Sequence, residues 1–253
     1  MNPRWGWVAG AASCVLLWRA AAYVSPSRLV AIPDGLELHL ALLGILFLAS
    51  SLWAWWARPS PWTSIFLVYG LSLGIHWGGA IGVGDASVEL SLFWVYLAFT
   101  ALGDAALLNL ALIYPLRGRL ALRWRLALYT PAAVALLLAP FAGFAPRSAL
   151  AFASGLVLLV ANVLSLAGGI VFLVRLFTVD RATRRAARLP LIVLGMVSGS
   201  AIALLGAGGL LPGVPETWNV ALGLVPIALA VALVSESVER SHGEPPVEAR
   251  VVP

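Results

Sequence analysis

The chain has 253 residues, 61% of them hydrophobic and only 11% charged, where a soluble domain usually carries about 25% charged residues. Its sixteen basic residues are all arginine and outnumber eleven acids, for a net charge of +5. Most sit in short loops, so they read as a topology signal and not as a nucleic-acid footprint. With a mean hydropathy of +0.96, these values exclude an ordinary water-soluble domain and predict an all-α, polytopic transmembrane helical bundle whose solvent is the bilayer.

About eight spans are expected, with apolar runs at residues 5–24, 36–56, 62–83, 88–114, 126–144, 149–172, 189–211 and 217–234. The first follows Met1-Asn2-Pro3-Arg4 and holds the one cysteine, Cys14, so no internal disulfide can form. Arg19 and Tyr23-Val24-Ser25-Pro26 follow instead of a small-x-small cleavage site, which favours a retained span over a signal peptide. The second run ends on Trp53, Trp55, Trp56 and Arg58, an interface anchor. Pro59-Ser60-Pro61 then makes a tight turn, because neither proline supplies an N–H and each restrains the residue before it.

The third run carries His76 and many glycines; the fourth carries Asp104 and Asn109 and closes on Tyr114-Pro115. Arg117, Arg119, Arg123 and Arg125 come next. The sixth run contains Asn162 and leads into Arg175, Arg181, Arg184, Arg185 and Arg188, whose spacing allows a short amphipathic helix. The seventh contains Gly195-Met-Val-Ser-Gly199, a GxxxG spacing that serves either internal packing or an oligomer. Residues 235–253 read as a mobile cytoplasmic tail.

The arginine-rich loops fall on one side of such a bundle, giving N-in and C-in topology and a multi-pass location in a bacterial inner membrane. The expected partners are anionic lipid headgroups and a membrane or cytoplasmic protein, with no nucleic acid. Arg117, Arg119, Arg123, Arg125, Arg181, Arg184, Arg185 and Arg188 are the candidate partner-binding residues.

Polar groups inside apolar runs are the candidate site. His39, His76, Asp85 and Glu89 approach the outer ends of runs two to four, where imidazole beside carboxylate makes a proton-responsive arrangement. Asp104 lies deeper and must be protonated or paired, since a lone carboxylate in an apolar medium is costly. Asn109 and Asn162 complete the set of ligand- or proton-binding candidates. Each also has a plainer reading, as polar glue between helices or as solvation of helix ends.

No GxGxxG, GxxxxGK[ST] or HExxH motif is present, so no nucleotide cradle, catalytic residue or metal site is assigned, no cofactor is indicated, and no enzymatic activity is expected.

Asn109-Leu-Ala-Leu-Ile-Tyr-Pro115, then Arg117 and Arg119, then Leu128-Tyr129-Thr130-Pro131, resembles the N-terminal seven- or eight-span membrane region of bacterial sensor histidine kinases. Arg181–Arg188 followed by Leu191–Gly199 continues that likeness, which covers about residues 98–234. Asn109 stands where that family usually has His, and no kinase domain follows Val234. The resemblance implies a sensor-like or accessory role, with a ligand or protons sensed in the outer half of runs two to four and the state passed on through the arginine loops. A small-molecule or proton-coupled transporter and a structural subunit of a larger, energy-converting complex are the alternatives.

Overall fold

The computed structural model describes residues 36–79, 86–116, 119–144, 149–207, 216–235 and 251–252. The expected run 5–24, Cys14, Asp85 and Arg117 lie outside the described residues, as does most of the tail. The described chain is all-α apart from one short strand pair. Helices α1 (Leu36–Ala57), α2 (Pro61–Gly79) and α3 (Ala86–Ile113) are followed by α4 (Leu122–Phe144) and α5 (Ala149–Thr178). A six-residue α6 (Arg181–Ala186), α7 (Leu189–Ala207), a 3₁₀ segment (Glu216–Gly223) and α8 (Leu224–Ser235) complete the helices. Strands β1 (Arg119–Leu120) and β2 (Val251–Val252) pair in parallel, Arg119 opposite Val251 and Leu120 opposite Val252.

Local chemistry fixes the helix starts. Ser60 caps α2: its Oγ accepts from the Thr63 N–H at 3.1 Å, and the Ser60 N–H donates back to Thr63 Oγ1 at 2.8 Å. This reciprocal pair satisfies two backbone donors that a helix start leaves open. Pro61 occupies the first helical position, where its missing N–H costs nothing. Asp180 caps α6 by accepting from the Thr183 N–H at 2.9 Å. Arg188, at φ 48°, then turns the chain directly into α7.

Sequential helices pack as neighbours from α1 through α5, and α5 also lies against α3. Helix α8 and the 3₁₀ segment close back on α1, while α7 packs against α8, the 3₁₀ segment and α5. Small residues set the closest approaches. A Cβ at Gly44 of α1 would lie 2.7 Å from the Gly78 backbone nitrogen of α2. Gly195 and Gly199 of α7 meet Leu224 and Ala228 of α8 and Ala221 of the 3₁₀ segment in the same way. The GxxxG spacing thus serves packing within the chain. The main core joins Phe47, Phe66, Leu110, Tyr114, Phe172, Ile192 and Leu229.

One end of the bundle is organised around Tyr114. The peptide bond before Pro115 is cis. The Tyr114 ring is fully buried and meets Trp62 edge-on at 5.4 Å, while its hydroxyl donates to the Ala187 carbonyl at 2.8 Å. Arg175 donates to the carbonyls of Tyr114 and, at 2.5 Å, Leu112, satisfying acceptors that the end of α3 leaves open. The end of α3, the start of α2 and the α5–α6–α7 junction therefore converge.

Among the described residues, no helix is long and apolar enough to cross a membrane. This corrects the expected polytopic bundle of about eight spans. Its N-in, C-in direction, its inner-membrane location and the lipid bilayer as partner rested on those spans and are corrected with it. A span needs about 20 predominantly apolar residues. Helix α8 has 12 and α6 has 6. In α2, which is long enough, Pro61, Thr63, Ser64, Ser72, His76 and the glycines dilute the apolar run. Helix α4 opens on Arg123 and Arg125. In α1, α3, α5 and α7 the side chains described without interruption cover 42–57, 98–113, 163–178 and 189–203, each short of 18 residues. The complete α1, α3 and α5 run to 22, 28 and 30 residues.

Candidate functional site

The described residues enclose a cavity of about 530 Å³ between α1, α2, α3, α5, α7 and the start of α8. That volume lies within the range of small-molecule sites. Its walls are largely apolar, from Leu73 and Leu107 to Val193, Met196 and Val225, with Phe47, Tyr69 and Trp77 supplying aromatic surface. Leu166, Ile170 and Leu173 of α5 face Val197 and Ser200 of α7 across it. Several of these are exposed, so the mouth lies between α5 and α7. Gly169 lies at this wall, and a Cβ there would meet nothing within 4 Å.

Asp104 is the polar centre. It is 3% exposed, and its Oδ2 is buried without a hydrogen-bond partner. Burial raises its carboxyl to about 7, and a hydrogen bond from the Ser165 hydroxyl on α5 offsets part of that rise. Thr100, one turn earlier on the same face of α3, also lines the cavity, and its Oγ1 is buried without a partner. On α2, burial lowers His76 to about 4, so its imidazole is neutral near pH 7. Its ring lies edge-on to Trp77 at 4.8 Å. Burial, reinforced by the Asp104 charge, raises the Tyr69 phenol. Among the described residues the arrangement is an apolar chamber with one ionisable carboxyl, flanked by the hydroxyls of Thr100 and Ser165.

Of the sequence candidates, His76 and Asp104 come together here. Asn109 does not: its Nδ2 donates to the Tyr129 hydroxyl of α4 at 3.0 Å, a tie between helices. His39 is buried in α1 and does not line the cavity. Glu89 and Asn162 lie in α3 and α5, but their side chains are outside the described residues. The sequence reading missed Thr100, Ser165, Tyr69 and Trp77. Only Thr100 had an accessible signal, its four-residue spacing from Asp104.

The arginine candidates gather at the Tyr114 end. Arg181, Arg185 and Arg188 are exposed, as are Arg123 and Arg125 at the start of α4, while Arg184 is half-buried and donates to the Val179 carbonyl at 3.0 Å. Arg119 lies in β1, with its side chain outside the described residues. Among the described residues no group of three or more His, Cys, Asp or Glu could hold a metal ion.

Compared with known proteins, the chain matches no family model, no curated protein and no solved structure. The resemblance to the membrane region of sensor histidine kinases is therefore corrected: no family match carries it, and the described helices contain no span. The sensor reading built on spans two to four falls with it, as do the transporter and complex-subunit alternatives that assumed the same spans.

Proposed function

We propose that this chain is a non-catalytic binding protein for a small, largely apolar molecule, held in the cavity around Asp104. The observation that carries the reading is the buried, unpartnered Asp104 Oδ2 at the edge of an apolar chamber of about 530 Å³. An orphaned buried acceptor costs on the order of 1–3 kcal/mol, and more for a charged group, a cost that a ligand's donor removes. Trp77 and Tyr69 provide contact surface, and the α5–α7 mouth provides entry.

The test is thermal unfolding of the purified chain with a panel of neutral, basic and acidic amphiphiles. A ligand at a hundred times its Kd stabilises by about 2.7 kcal/mol, a shift of roughly 5–10 °C for a chain of this size. Gly169→Trp, which fills open cavity space, is expected to remove the shift. A panel with no effect on the native chain, or an equal effect on Gly169→Trp, contradicts the reading.

A further inference from the structure

Among the described residues that line the cavity, Asp104 is the one carboxyl, and the nitrogen-bearing side chains, His76 and Trp77, are uncharged near pH 7. Asp104 Oδ2 accepts, Thr100 Oγ1 lies one turn away, and both are buried without partners. Among the described residues no arginine lines the chamber. A carboxylate or phosphate ligand would bring like charge against Asp104, with no cation to offset it. A metal ion finds too few ligands among the described residues. Three aromatic side chains, Phe47, Tyr69 and Trp77, border the same space, and aromatic faces attract cations more strongly once water is excluded.

We propose that the ligand is a protonated amine on an apolar body, its N–H groups donating to Asp104 Oδ2 and Thr100 Oγ1. This deepens, and rests on, the binding reading above. The apolar body enters between α5 and α7 and lies against Leu107, Val193 and Met196. The ammonium supplies the counter-charge that Asp104 lacks. Because burial holds the carboxyl near 7, binding below that pH drives the carboxyl proton off, and affinity weakens as pH falls. Among the described residues, the other titratable groups lining the chamber are His76 and Tyr69, both on α2. The first is neutral above about pH 4 and the second stays protonated, so neither changes charge in the window concerned.

The experiment titrates the purified full chain with 2-phenylethylamine and its neutral isostere 2-phenylethanol, read by tryptophan fluorescence. At about pH 8 the amine is expected to bind at least roughly tenfold tighter, as a desolvated charge-assisted hydrogen bond requires. In Asp104→Asn the preference falls below about twofold. In the native chain, amine affinity drops by about a factor of ten per unit below pH 7 while the alcohol's stays level, an arm that needs no variant to fold. A preference that survives Asp104→Asn, or amine binding indifferent to pH, overturns the proposal. The alcohol binding as well as the amine, with both lost in Gly169→Trp, overturns the amine assignment and leaves the cavity reading standing. No response to any probe overturns both.

Discussion

Asp104 and His76 face the same chamber, yet burial moves them in opposite directions on the pH axis. Between about pH 4 and 7 the folded chain holds a proton on Asp104 that the unfolded chain releases, so stability falls as pH rises and levels off above 7. Between about pH 4 and 6.5 the unfolded chain holds a proton on His76 that the folded chain refuses, so stability rises with pH there. Each slope is at most about 1.4 kcal/mol per pH unit, and across their shared range they oppose one another. Denaturant unfolding at stepped pH is therefore expected to give a shallow profile for the native chain. Asp104→Asn unmasks the rising limb, and His76→Gln unmasks the fall toward pH 7. Two variants with the native profile would show that these groups are not held by burial as described. The sequence exposed Asp104, because one carboxylate in a long apolar run stands out. Its partner was hidden: Ser165 is one of many serines, and only the packing of α3 against α5 selects it. Asn109, about 140° round the helix from Asp104 at 100° per residue, does point elsewhere and ties to Tyr129.

Among the elements, helix positions were legible and their fit was not. The expected runs 88–114 and 149–172 correspond to α3 (Ala86–Ile113) and to most of α5 (Ala149–Thr178), and the Pro59-Ser60-Pro61 turn lies where proline chemistry put it. The run 217–234 was read as one helix but divides at Gly223 into a 3₁₀ segment and α8, with Pro226 in the first turn of α8, where its lack of an N–H is tolerated. Composition alone cannot say which glycine touches what. Gly44 lies against the α2 backbone, whereas Gly169 faces open space. Gly44→Ala is accordingly expected to cost about 1–3 kcal/mol by overpacking. Gly169→Ala is expected to be neutral or stabilising by up to roughly 1 kcal/mol, through helix propensity. Equilibrium unfolding of the two variants checks the contrast; equal effects would contradict the α1–α2 contact.

Among the described residues, an apolar core coexists with several buried polar groups and many exposed large apolar side chains. Ser51, Thr63, Asp104 and Asn109 are buried, while Trp56, Leu137, Leu166, Phe177 and Leu194 are more than 60% exposed. The helices show little difference between inward and outward faces, so sequence periodicity could not orient them. The apolar composition was therefore legible, but the described residues give it the form of exposed faces and no span. Contiguous apolar surface of this kind requires a cover. Static light scattering is expected to find large assemblies in plain buffer and one monomer-sized particle in mild non-ionic detergent; a monodisperse monomer in plain buffer would contradict the exposed faces.

The buried carboxyl, the packing of α3 against α5 and the exposed α5–α7 wall meet at the cavity, and its occupancy decides the binding reading. Native mass spectrometry of the chain purified from its host in mild detergent reads that occupancy directly. A bound molecule of a few hundred daltons or less is expected on the native chain and missing from Gly169→Trp. The same mass on both proteins, or no bound mass on either, would contradict the assignment of this cavity as the site.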